Sequence, residues 1–252
     1  MKKLFICLLA LMLAAFPALG EGTETGAIEG PGFDSPEEAV TAYLEALKTG
    51  DVEGMLATFA IETYVAEMDA QAYLERMWAF ALGDFRGAPV SDPYLRQIVV
   101  YQRQAELANE LYRQYLFYSW PEAYGEFSAD ALRLNGEAEV EAFLSALSAS
   151  TFTSTLGSLE IVEFVEPAEL SDKYLNESNQ QNIAKQVASY GCDELVSVAV
   201  KLDIGGEEWY QCMNVARYGE KWYNLSLSGN IGILLAMSSY AAGLAPAAEL
   251  RL

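Results

Sequence analysis

The chain has 252 residues, 52% of them hydrophobic, with 15 Lys and Arg against 36 Asp and Glu and no histidine. A net charge of −21 repels phosphate backbones and anionic lipid heads, which argues against nucleic acids and membrane surfaces as partners. Without histidine there is no Ser-His or Cys-His nucleophile pair, no imidazole base and none of the commonest zinc ligands.

Residues 1–20 read as a secretory signal. Lys2 and Lys3 precede an apolar run over 4–16, and Ala18-Leu19-Gly20 is a small-residue cleavage site. The run is shorter than the roughly 20 residues of a membrane span. Cys7 lies inside it and leaves with it, and the working protein is expected outside the cytoplasm. Residues 21–33, rich in Gly, Glu and Thr, read as a flexible tether. Residues 34–252 are expected to form one α+β domain with a helical insertion at about 85–150. The alternative is a helical domain over 34–150 followed by an α+β domain over 151–252.

Ser35 is an N-cap, Pro36 suits a first helical turn and Glu38 completes a capping box. Ala39, Val40, Tyr43, Leu44 and Leu47 follow at helical spacing, and Gly50 ends the helix. Asp51 caps a second short helix holding Met55, Leu56 and Phe59. Asp69 starts a third, with Tyr73, Met77, Trp78 and Phe80. After a loop over 83–90, Ser91-Asp92-Pro93 opens the longest helix, which runs to about Tyr118. Tyr94, Ile98, Tyr101, Ala105, Ala108 and Tyr112 form one stripe on it; Val100, Leu107, Leu111 and Tyr115 form a neighbouring one. Two adjacent stripes predict burial of a broad face, in the protein's own core or, as the alternative, in a homodimer. A further helix is predicted over 137–147.

The pattern then turns β-like over 159–165. A polar helix over 178–190 is bounded by Gly191, and three strands follow over 194–204, 207–217 and 221–227. Gly205-Gly206 is a two-residue hairpin turn. Pairing across it places Trp209 opposite Leu202, Met213 opposite Val198 and Val215 opposite Val196, which defines one buried face. A three-residue connection, Tyr218-Gly219-Glu220, would keep Tyr223, Leu225 and Leu227 on that face. The outer face then carries Tyr210, Cys212, Asn214, Ser197 and Lys201. Cys192 and Cys212 form an even pair in an exported chain, which fits a disulfide. The register puts Cys212 opposite Ala199 and Cys192 near Gly219, so a bridge requires the segment before Leu195 to fold back. Residues 231–248 carry no charge, yet Gly232, Gly243 and Pro246 interrupt them, so they read as a final buried segment rather than an anchor.

Catalytic motifs are missing. There is no G-x-S-x-G elbow, no Ser-x-x-Lys and no Gly-Lys phosphate loop. A calcium loop around Gly136 would need oxygen ligands where Ala131 and Ala142 stand.

Ser35-Pro36-Glu37-Glu38-Ala39-Val40, Tyr43-Leu44, Leu47, Gly50-Asp51 and Phe59 together resemble the opening helix pair of the nuclear transport factor two-like superfamily. Gly219-Glu220-Lys221-Trp222 is similar to its closing hairpins. The likeness covers roughly residues 34–60 and 155–228. It implies a secreted bacterial member of unassigned function, built as a cone: helices across the concave side of a curved antiparallel sheet, with a pocket between. The family includes isomerases and dehydratases as well as non-catalytic binders, so fold does not choose function. The histidine-containing sites of its enzymes have no counterpart here.

The expected function is a secreted, non-enzymatic binding or protein-interaction module for a small molecule or an envelope protein, with no cofactor and no metal. Tyr43, Phe59, Trp78, Trp209 and Tyr223 are the candidate ligand-binding residues if a pocket exists; the competing reading is ordinary core packing. One alternative is a carbohydrate or cell-wall binder using exposed rings of Trp120, Tyr124, Phe127, Tyr210 and Trp222. Another is a carboxylate-dependent hydrolase or isomerase, which needs two acidic side chains converging in a cleft. Glu160, Glu163 and Glu166 are expected instead to form a solvated edge.

Overall fold

A computed structural model of the chain describes residues 28–77, 92–119, 136–138, 141, 156–237 and 241–251. Helix α1 (Pro36–Thr49) begins as its capping residues require: Ser35 Oγ accepts the Glu38 N–H at 3.1 Å, and Glu38 accepts the Asp34 N–H at 3.1 Å. Gly50 closes the helix in the left-handed region, at φ 73°. Asp51 caps α2 (Val52–Ala57) through the Gly54 N–H at 2.9 Å. Asp69 accepts the Ala72 N–H at 2.9 Å and opens α4 (Ala70–Met77).

Between them stands α3 (Glu62–Glu67), which the local sequence does not announce. Its N-cap, Ile61, has no capping side chain, and the Glu29 carboxylate accepts the Ile61 and Thr63 N–H groups instead. Part of the expected tether is therefore built into the fold. Gly30 donates to the Ala57 carbonyl at 2.9 Å, and Phe33 pairs with Trp222 as an isolated bridge.

Helix α5 (Pro93–Ser119) starts at Asp92, whose carboxylate accepts the Tyr94 and Leu95 N–H groups. The expectation of two buried stripes is only half met. Val100, Leu107 and Leu111 are buried, but Tyr94 is 74% exposed and Ile98 and Tyr101 are each 45% exposed. The helix packs against α2 and α3, with the Val100 stripe buried and Tyr94, Ile98 and Tyr101 facing outward at its N-terminal half.

Strand β1 (Glu160–Val165) is followed by α6 (Pro167–Leu170) and α7 (Glu177–Tyr190), then by β2 (Glu194–Ile204), β3 (Glu207–Tyr218) and β4 (Lys221–Leu227). These form an antiparallel sheet in the order β1-β2-β3-β4. The β2–β3 register is the one read from the Gly-Gly turn: Trp209 pairs with Leu202, Met213 with Val198 and Val215 with Val196. Register shifts between Ile161 and Glu163 and between Asn214 and Val215 bend the sheet. The α+β expectation holds, with helices packed on a curved, open antiparallel sheet.

The β3–β4 connection differs from expectation. Tyr218 pairs with Lys221, so the turn has two residues, and Val215 pairs with Asn224 rather than with an apolar partner. Asn224 earns that place by donating its side-chain amide to the Ala39 carbonyl at 2.8 Å and to Thr58 Oγ1 at 3.0 Å. The irregularity beyond Asn224 then restores the alternation, and Leu227 pairs with Met213 on the apolar face.

The outer face is covered as well. After β4, α8 (Gly229–Leu234) packs across it, and the chain returns as β5 (Leu244–Pro246) to the same edge of β3. Ala199 and Cys212 meet Ile231 and Leu235 in a second small core, so Cys212, Asn214, Ser197 and Tyr210 are buried rather than outward. In the described part of the uncharged tail Ile231, Leu235, Ala241, Ala242, Leu244 and Ala245 are buried while Ile233 is exposed, and among the described residues no helix is long and apolar enough to cross a membrane. Cys192 and Cys212 are both free and buried.

Candidate functional site

Four helices converge on one cleft. On α5, Val99, Gln102, Arg103 and Glu106 recur at helical spacing and share one face. Tyr64 and Val65 come from α3, Tyr73 and Arg76 from α4, and Tyr190 from the last turn of α7. They enclose a cavity of about 240 Å³. Contacts between α7 and α4, and the Tyr218 hydroxyl donating to the Tyr190 carbonyl at 3.2 Å, fix Tyr190 at its end of the wall.

The wall alternates cations and rings. The Arg103 Cζ lies 4.6 Å from the Tyr64 ring centroid, the Tyr64 and Tyr190 rings are 5.6 Å apart, and the Arg76 Cζ lies 5.1 Å from the Tyr190 centroid. Arg103 also donates to the Leu225 carbonyl. Yet Arg103 Nε and Arg76 Nη1 are buried with no hydrogen-bond partner among the described residues. Leaving a charged donor unpaired away from water is costly.

Burial pushes the Tyr64 phenol up to about 12 against the opposing pull of Arg103, so it stays protonated. Burial likewise raises the Glu110 carboxyl, one turn beyond Glu106, although Arg103 and Arg113 oppose it. Glu106 accepts from the Gln102 amide at 3.2 Å. The cleft therefore presents guanidinium groups and the protonated Tyr64 phenol as hydrogen-bond donors, beside the Glu106 carboxylate. Among the described residues no cluster of three or more acidic or cysteine side chains could hold a metal ion.

The residues singled out from sequence lie mostly elsewhere. Tyr43 and Phe59 are fully buried between α1 and the sheet, edge to face with centroids 5.8 Å apart. The Tyr43 hydroxyl donates to Gln114 Oε1 at 2.8 Å, and Gln114 approaches Gln211 on β3, so packed side chains occupy that space. Trp209 is half-buried against the main core at the far end of β3. Tyr223 is buried against Tyr218, which links it indirectly to Tyr190. Trp78 lies outside the described residues, as do Trp120, Tyr124 and Phe127. Of the other sugar-binding candidates, Tyr210 is buried and Trp222 lies under the Arg217 guanidinium. Glu160, Glu163 and Glu166 are exposed. Sequence reading missed Tyr64, Arg76, Arg103 and Tyr190. The recoverable signal was the polar face of α5 beside its apolar one.

Fold and cleft define an α+β protein with helices on an open antiparallel sheet and an arginine–tyrosine recess between four of those helices. No protein-family model matches the chain, and no curated protein matches it. A solved structure, a cystatin-like protein from Ruminococcus gnavus ATCC 29149, is similar to it with a TM-score of 0.45 and 16% identity. That likeness covers 75% of this chain and 38% of the other.

Proposed function

We propose that this chain is an exported, non-enzymatic binding module whose ligand site is the arginine–tyrosine cleft. Export rests on the basic start, apolar run and cleavage site of residues 1–20. The observation that carries the binding reading is a recess of about 240 Å³ whose two guanidinium groups each keep a buried nitrogen without a partner among the described residues. A ligand that supplies acceptor atoms there removes a cost the empty fold bears. A small molecule fits this concave site better than a protein surface does, because the recess lies below the roughly 300–1,000 Å³ typical of drug-sized pockets. The protonated Tyr64 phenol and the lack of a histidine favour holding a ligand over transforming it.

The test is calorimetry and thermal shift on the mature chain against neutral sugars, amines and small acids. Saturable 1:1 binding abolished by Val99→Trp, which fills the recess, supports the proposal. Binding that Val99→Trp leaves intact places the site elsewhere and sinks it.

A further inference from the structure

We infer that the cleft takes a small organic oxyanion, a carboxylate or phosphate monoester carrying a compact apolar body. This rests on the proposed binding site and names the class of ligand. Each guanidinium carbon lies over a tyrosine ring, Arg103 over Tyr64 and Arg76 over Tyr190. The cation–π contact uses none of the N–H donors, which stay available for hydrogen bonds. The planar N–H edge of a guanidinium matches the geometry of carboxylate and phosphate oxygens. The rings and the Leu225 carbonyl on one arm of Arg103 restrict the side chains before any ligand arrives, which lowers the entropic cost of binding. Arg103 Nε and Arg76 Nη1, which have no partner among the described residues, are donors in the lining of the same recess, and both call for an acceptor.

Charge sharpens the point. The chain has 36 acidic residues against 15 basic ones, yet this recess is lined by two arginines and one carboxylate, Glu106, which already accepts from Gln102. A cation would meet two guanidinium groups at close range, whereas an anion gains from both. Val65, Val99 and the tyrosine rings supply apolar wall for the rest of the ligand.

The experiment uses benzoate and phenyl phosphate as probes, with benzamide as the neutral isostere of benzoate, titrated calorimetrically into the mature chain. Either anion is expected to bind 1:1 with benzamide at least about tenfold weaker, and the stronger of the two anions distinguishes carboxylate from phosphate chemistry. Arg76→Gln is expected to weaken the anion about tenfold or more, and Arg113→Gln, on the exposed part of α5, to change it less than twofold. Should Arg76→Gln fail to fold, Arg76→Lys keeps the charge but loses the planar edge and is expected to bind several-fold more weakly. Equal binding of benzamide, blocked by Val99→Trp, overturns the oxyanion inference and leaves the proposed site standing. No saturable binding of any probe or panel compound overturns both.

Discussion

Arg103 lies over the ring of Tyr64, with its guanidinium carbon 4.6 Å from the centroid, while the same side chain donates to the Leu225 carbonyl. One residue thus ties α5 to α3 and to the irregular part of β4. Replacing it by Met removes a cation–π contact of roughly 1–2 kcal/mol and a charged hydrogen bond of roughly 1.5–3 kcal/mol. Arg103→Met is expected to lower unfolding free energy in urea by about 2–4 kcal/mol. Arg103→Lys is expected to recover less than half of that, because an ammonium cannot stack and reach the carbonyl together.

A buried amide pair holds α8 to α7. Gln186 donates to Asn230 Oδ1 at 3.0 Å and accepts from Asn230 Nδ2 at 3.1 Å. The Asn230 backbone N–H reaches Asn214, which also accepts from Ser197 at 2.9 Å. Removing one amide strands the other, so Gln186→Leu and Asn230→Leu should each cost about 2–3 kcal/mol. The double variant is expected to cost clearly less than their sum. A double-mutant cycle in urea measures the difference, and strict additivity would refute the pairing.

Two glycines with positive φ make opposite demands. At Gly191, with φ 65°, an added Cβ would sit 1.8 Å from the Glu67 carbonyl oxygen. At Gly206, with φ 86°, it would meet nothing within 4 Å. Gly191→Ala should destabilise by more than about 3 kcal/mol, through the clash between α7 and α3. Gly206→Ala should cost only about 1–2 kcal/mol, from backbone strain. Thermal unfolding of the two variants separates clash from strain.

The thiols give a pH test. Cys212 pairs with Ala199, and Cys192 precedes Glu194, which pairs with Arg217. That separates them by about seven strand positions, on the order of 23 Å, far beyond disulfide reach. Burial pushes Cys212 up to about 12 and Cys192 up to about 11, from an ordinary 9.0. These raised values mean that the folded chain holds protons the unfolded chain releases. Stability from them is complete below pH 9 and is lost as pH rises toward 11 and 12. The urea midpoint is expected to stay flat from pH 7 to about 8.5 and to fall steadily above 9. A thiol reagent at pH 8 should label neither cysteine in the native chain and both after denaturation. A Cys192–Cys212 bridge found by mass spectrometry would contradict the register.

Where sequence reading succeeded, the governing physics was local. Ser35, Asp51, Asp69 and Asp92 cap helices from positions adjacent to them, and Gly205-Gly206 fixes the pairing of β2 with β3. It failed where the deciding partner lies far along the chain. Helix α3 depends on a cap from Glu29, more than thirty residues earlier, so no window around Ile61 signals it. The two-residue turn before β4 puts Asn224 on an apolar face, and only its bonds to Ala39 and Thr58 make that tolerable. The cleft was hidden for the same reason. Tyr64, Arg76, Arg103 and Tyr190 belong to four helices and become one wall only after those helices pack.

The most direct test of the cleft follows the side-chain Nε–H resonances of arginine in the ¹⁵N-labelled full chain during titration with benzoate. Arg103 Nε, buried without a partner among the described residues, and Arg76 in the same recess should shift together along one saturable curve, while Arg217, held by Glu194 at 3.3 Å, stays fixed. Unmoved Arg103 and Arg76 signals at saturating benzoate, or an equal shift of Arg217, would contradict the account.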